Sequence, residues 1–258
     1  MTEQELFRLR VAYPKQGRLR HLGHLEVLRT VERSVRRAGL PYAVTQGFSP
    51  HMRVAFASAL PTGTASRAEY YDLYMTAYVP APAALERLQA ATPEDLAPFA
   101  AAYVGLREPA LTAALTRAVY RVSLAYAPGA APSLDTVRGA LAETAALEYI
   151  EYMRGKKPKR MDVARTLVTA SVEEGGDGLV LMLDTRSSNE GALRPEVLIR
   201  AFEERIASAS GLAEPCVFRS FGIERVSQHA EGEAGELLDP MPSQARPAGA
   251  VTACAENV

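Results

Sequence analysis

Three histidines are the first residues in this chain whose types and spacing could do chemistry. His21-Leu-Gly-His24 is a His-x-x-His pair, which on a helix turns two imidazoles to roughly one face, where zinc or iron could use them. His51 follows as a distant third. The two cysteines, Cys216 and Cys254, are too few for a thiolate metal centre or a disulfide framework, so neither a metal nor a cofactor is expected. The same imidazoles titrate near neutral pH. His21, His24 and His51 are therefore also candidates for the acid and base of a metal-independent endoribonuclease, with Tyr70 and Tyr71 to assist. The plainer reading is that His21 and His24 start a helix and meet solvent or an anion. Common catalytic signatures are absent, among them the Gly-x-Ser-x-Gly elbow, the Gly-rich Lys loop, His-Glu-x-x-His and Cys-x-x-Cys. Cys216 sits in the apolar run Cys216-Val-Phe and is expected in the core.

Charge points elsewhere. The whole chain carries a formal net charge of -1, but ten basic residues between Arg8 and Arg53 face only Glu26 and Glu32, a local balance of +8. A second basic knot, Lys156, Lys157, Lys159 and Arg160, holds no acid and reads as loop. Two separate clusters favour an anionic partner, with Arg20, Arg36, Arg37 and Arg53 as phosphate contacts and the knot extending their path. The loop Gln46-Gly-Phe48-Ser-Pro-His51 adds an aromatic that could stack a base and polar groups that could reach base edges; equally, Phe48 could plug the core of an ordinary hairpin. Ser187–Pro195, with Arg194, precedes a helix and could hold an anion at its start, or simply cap it.

These groups need a scaffold, and the 258 residues, 48% hydrophobic and 23% charged, suffice for one large domain or two small ones of about 100 residues. Alternation over Phe7–Tyr13 predicts a half-buried strand, and Leu22, Leu25, Leu28, Val31, Val35 and Ala38 an amphipathic helix stopped by Gly39. Strands are then expected at Pro41–Thr45, Met52–Phe56, Tyr70–Val79 and Leu96–Val104, with a helix at Ala83–Ala91. The pattern restarts with strand Val119–Ala125, a helix from Ser133 to Ala146, strand Leu147–Arg154 and extended Met161–Thr166. A hairpin follows around Glu174–Gly178, then a helix opened by Pro195 and a short strand Gly222–Val226. The order predicts an α+β chain of two tandem ferredoxin-like sandwiches, 1–107 and 117–229, with a disordered acidic tail over 230–258. No apolar run reaches the about 18 residues of a membrane span. The acidic start Met1–Glu5 is unlike a secretory signal, so the expected location is the cytoplasm, away from membranes.

The residues Arg20-His21-Leu-Gly-His24-Leu, Arg36-Arg-Ala-Gly39-Leu-Pro41, Gln46-Gly-Phe-Ser-Pro-His51, Ala59-Leu-Pro61-Thr-Gly63 and Glu69-Tyr-Tyr-Asp72 together closely resemble the bacterial radical-SAM-linked protein family. The likeness runs over residues 6–226 and concentrates in 20–72; Met52 stands where proline is often found after the histidine, and Ser49 where asparagine is common. Members occur beside or fused to a radical SAM enzyme, in the genomic company of an E/G-type ribonuclease and ribosomal proteins. The resemblance implies a non-catalytic accessory of a radical SAM enzyme that binds or presents RNA, tRNA or rRNA, or else docks on that enzyme as a protein adaptor. The sequence holds no Cys-x-x-x-Cys-x-x-Cys with which to carry a radical SAM cluster itself.

Overall fold

The computed structural model describes residues 5–188, 191–212 and 215–242. The first half runs β1 (Phe7–Lys15), α1 (His24–Arg37), β2 (Val54–Phe56), β3 (Ala65–Met75), α2 (Ala81–Ala91) and β4 (Ala100–Val104), in spatial order β4-β1-β3-β2. Period-two alternation sends Leu9, Val11 and Tyr13 of β1 and Tyr71, Leu73 and Met75 of β3 to one face, where α1 and α2 cover them. On α1, Val27, Val31 and Val35 recur every four residues and are buried, while Arg29, Arg33 and Arg36 stay in solvent. Each such burial contributes about 1.5–3 kcal/mol. Gly39 ends the helix at φ 61°, a conformation that a β-carbon would strain.

A connection holding the short α3 (Leu111–Ala114) leads to β5 (Arg117–Tyr126), α4 (Leu134–Ala145), β6 (Tyr149–Arg154), β7 (Lys157–Asp162) and α5 (Val163–Thr166). Then come β8 (Leu167–Gly175), β9 (Gly178–Ser188), β10 (Gly191–Ala192), α6 (Pro195–Ala209), β11 (Phe218–Glu231) and β12 (Leu237–Leu238). The spatial order β11-β5-β9-β8 repeats that of the first half, so the chain is an α+β pair of ferredoxin-like units, the second carrying the β6–β7 hairpin as an insertion. Parallel pairing of β11 with β3, through Glu224–Ala65 and Arg225–Ser66, fuses the two into one ten-stranded mixed sheet among the described residues. Arg225 lies opposite Tyr120, on the α4–α6 side, and bonds Glu69, on the α1 side, so both helical layers cover the same face. Among the described residues no helix is long and apolar enough to cross a membrane.

The other face of β1 and β3 carries Arg8, Arg10, Tyr70 and Asp72, and these are buried as well. The connection around Leu111 and Leu115 and the chain end at Met241 pack over them. Asp72 accepts from Arg8 Nε and Nη2 (2.9 and 2.6 Å) and from Arg10 Nε and Nη2 (2.9 and 3.2 Å). Arg8 also donates to the Glu108 and Pro109 carbonyls (2.6 and 2.8 Å), and Arg10 to the Pro240 carbonyl (2.9 Å).

Several expectations are corrected. Order continues past residue 230, because β11 runs to Glu231, β12 pairs with it, and Arg10 and the buried Met241 anchor the next residues; 243–258 lie outside the described residues. The knot Lys156–Arg160 is not loop but the turn and second strand of a hairpin, Lys159 opposite Tyr152. Val163–Thr166 coils instead of extending, because the Asp162 carboxylate accepts the Arg165 amide (2.9 Å) as an N-cap. Pro41–Thr45 and its return reduce to single bridges, Tyr42–Met75 and Val44–Met52, before β2 begins. Cys216 is exposed, and Val217 and Phe218 take the buried places beside it.

Candidate functional site

The predicted site residues of the first unit divide between the two ends of α1, 14 residues and so about 20 Å long. Arg36 and Arg37 close the helix, exposed, with Arg36 3.6 Å from Glu32 and Arg37 donating to the Ala91 carbonyl (2.7 Å). The same end carries the 46–51 loop, because the chain from Pro41 to Arg53 bonds to the last residues of β3: Ala43 donates to Tyr74, Tyr74 to Arg53, and Thr76 to Pro41. Arg53 lies 4.1 Å over the Tyr74 ring. Phe48 is fully exposed and does not plug the core; Gln46 is exposed beside it. The His51 amide donates to Thr45 Oγ1 (3.0 Å), and its ring lies 3.3 Å from Ser49 Oγ.

At the other end, Arg20 donates to the His21 ring (3.2 Å), and its carbonyl receives the Gly63 amide (2.9 Å). His24 opens α1 with its ring edge-on to Phe56 at 5.5 Å. His51 therefore stands apart from His21 and His24, and the three are not brought together for acid–base work. Among the described residues no group of three or more His, Cys, Asp or Glu could hold a metal ion.

Ser58 and Ala59, which line a small cavity together with His24, also border a cleft of about 870 Å³ between the two units. Ser58, Ala59 and Pro61, from the segment before β3, form one wall; the β6–β7 hairpin, the end of β9 and the start of α6 form the other. Arg160, Arg165, Arg186, Arg194 and Arg225 line it, against Asp162 and Glu231. Both acids are occupied. Asp162 caps α5, and Glu231 accepts from Arg186 (2.6 and 3.0 Å) and Arg117 (2.9 Å). The Arg186 hydrogen bond, helped by the Arg117 charge, holds the Glu231 carboxyl below its ordinary range. Arg160 stacks 3.3 Å over Tyr149 and lies 3.4 Å from Glu148. Lys156, Lys157 and Lys159 project from the same hairpin, exposed. Arg194 stands at the foot of α6 as anticipated; Asn189 and Glu190 of that loop lie outside the described residues.

Buried Arg225 floors the cleft. It donates to Glu69 through Nε (2.9 Å) and through Nη2 to both oxygens (2.7 and 2.6 Å). Burial opposes its charge, but Glu69 and then Tyr120 more than offset this and leave the arginine above its ordinary value. Sequence reasoning missed Arg165, Arg186 and Arg225. They lie on three separate elements with no shared spacing, and only strand pairing makes them neighbours. The arrangement offers fixed guanidinium donors and the Thr116 hydroxyl to an elongated anion, while the Thr185 and Ser187 hydroxyls donate to the Ala118 and Leu115 carbonyls.

Comparison with solved structures finds similarity to a chain of the "Crystal Structure of a Cbf5-Nop10-Gar1 Complex", with 10% identity and a TM-score of 0.45 over 87% of this chain and 50% of that one. The present chain thus spans half the length of that neighbour, a likeness too distant to carry function. No curated protein matches. A family model described as "Uncharacterized protein conserved in bacteria (DUF2344)" matches residues 8–195, from the first strand through the cleft to the start of α6. With most of its length matched, the chain belongs to this bacterial family.

Proposed function

We propose that this chain binds RNA in the cleft between its two units and along the adjoining hairpin, as a non-catalytic accessory that presents tRNA or rRNA to a radical SAM enzyme. The observation that supports RNA is the cleft itself, in which five arginines meet two acids that are already occupied. Guanidiniums held by stacking and by carboxylates lose little further freedom when they meet phosphate, and their fork geometry matches its oxygens. The hairpin lysines extend the positive path beyond the cleft, and Arg20 is tied through its carbonyl to Gly63, two residues past Pro61 of the opposite wall. Arg36, Arg37, Arg53 and Phe48, at the far end of α1, form a second contact for a longer strand. The radical SAM partner rests on the resemblance carried by residues 20–72.

Anisotropy of a labelled single-stranded RNA tests the reading. Four phosphates met by Lys156, Lys157, Lys159 and Arg160 would contribute about −3 to the slope of log affinity on log salt. Reversing these four charges to Glu should weaken binding more than tenfold and flatten the slope. Affinity unchanged between about 50 and 200 mM salt overturns RNA binding.

A second reading, a protein adaptor, draws support from Phe48, fully exposed beside the half-exposed Val44. It requires a complex with the radical SAM enzyme that survives nuclease, carries no RNA and is lost on Phe48→Ala.

A further inference from the structure

The chain has 29 Lys and Arg residues, but only four are lysines. Three of them ride the exposed hairpin. The fourth, Lys15, closes β1 and is only 3% exposed. Among the described residues its ammonium makes no hydrogen bond and no direct ion pair. The nearby carboxylate, Glu69, accepts three hydrogen bonds from Arg225 instead. Glu26 also acts on Lys15, but only through its field. Burial lowers the Lys15 pKa; Glu69 opposes this and Arg225 adds to it. With the Lys15 side chain buried but its Nζ not wholly enclosed, the ammonium needs water or an anion at that opening to offset the cost of burial.

Beside Lys15 lies a cavity of about 10 Å³, room for one water-sized atom, lined also by Tyr13, His24, Ser58 and Glu69. Ser58 and Ala59 line both this cavity and the large cleft, so the one opens beside the other. Among the buried side chains Lys15 and Arg225 against Glu69 leave one positive charge in excess, opposed only by the field of exposed Glu26, and a monoanion would neutralise it. The hydroxyls of Tyr13 and Ser58 and the His24 ring are further donors to an oxygen placed there.

We propose that Lys15 is the base of a phosphoryl-oxygen subsite, in which one oxygen of a phosphate group reaches in from the cleft past Ser58 and becomes the partner the ammonium lacks. The subsite deepens the RNA reading, on which it rests only for the source of the phosphate.

With four lysines, a spectrum of the 15N-labelled lysine side chains holds four amine signals. Titrating inorganic phosphate into the full chain at constant ionic strength should move the Lys15 signal at phosphate concentrations at least tenfold lower than those that move the three exposed hairpin signals. Lys15→Met, which removes the charge and shortens the side chain by one atom, should melt at or above the wild-type temperature and bind phosphate at least tenfold more weakly. A stationary Lys15 signal overturns the subsite, and that measurement holds even if the variant fails to fold. Undiminished phosphate binding by a folded Lys15→Met protein overturns it as well. RNA oligomers with and without a 5′-phosphate identify the source: a Lys15 shift with the phosphorylated oligomer alone means a chain end, and a shift with both means an internal phosphodiester. If phosphate moves Lys15 while hairpin charge reversal leaves RNA affinity intact, the subsite stands and the RNA reading falls. If RNA binding depends on the hairpin and Lys15 stays still, the subsite alone falls.

Discussion

Replacing Asp72 by Asn should be the most damaging conservative change in the first unit. Asp72 has no exposed surface, and its single carboxylate takes four hydrogen bonds from Arg8 and Arg10, themselves only 2% and 5% exposed. The amide keeps the shape, but it turns an acceptor oxygen into a donor facing guanidinium and leaves two positive charges in the interior. Their nearest remaining carboxylate is Glu108, 3.9 Å from Arg10 and half-exposed. Removing one partner of a buried ion pair costs about 3–5 kcal/mol. For a chain of this size each kcal/mol moves the melting temperature by about 2–4 °C, so a fall of about 6–20 °C is expected in calorimetry. The loss should be insensitive to salt, since the pairs lie beneath the Leu111 connection and Met241. Limited proteolysis should also find the segment around Pro240 newly cleavable, because Arg10 holds its carbonyl. A melting temperature within about 2 °C of the wild type, or a loss that vanishes in high salt, would refute this account of the network. The same reasoning takes Arg8 and Arg10 out of the RNA-binding charge: Arg10→Met should leave the salt slope of RNA affinity unchanged.

Glu231→Gln should lower stability by about 1 kcal/mol at neutral pH, the Arg186 side of its network being half-exposed. Because the folded carboxyl titrates below its ordinary range, the gap between wild type and variant should persist from neutral pH to the ordinary carboxylate range and close as pH falls through the depressed value. Denaturation at a series of pH values reads this, and a gap that widens in acid contradicts it. Gly178→Ala places a β-carbon 1.9 Å from the Leu124 carbonyl oxygen, so β9 must shift; a loss of at least about 1–3 kcal/mol is expected, and an unchanged urea midpoint would show the strand pairing to be misplaced. Cys216, in a Cys254→Ser background, should react with a thiol reagent in the native protein as quickly as in denaturant, whereas protection until unfolding would return it to the core.

The alternation of Phe7–Tyr13 and Val119–Ala125, the α1 stripe, the Ser133 cap and Pro195 at the head of α6 were legible because each is local, set by a period of two or 3.6 or by one backbone position. The ferredoxin-like order of both units followed from them. The basic character of residues 8–53 was equally plain, but what each charge does was not. Arg8 and Arg10 read like Arg36 and Arg37, yet the first two are buried on Asp72, 62 to 64 residues away, and the others face water. A strand that alternates apolar and charged residues looks half-exposed until something covers its second face, and here the cover comes from the Leu111 connection and the chain end. The same holds for the cleft. His21, His24 and the Lys156–Arg160 knot were visible as residues, but the separation of His51 and the meeting of Arg165, Arg186 and Arg225 are set by strand order and by the parallel β3–β11 pairing. Local sequence determined the elements and their amphipathic faces. Only the tertiary structure decided which charges were buried and paired and which remained to meet a ligand, because that depends on contacts between residues far apart in the chain.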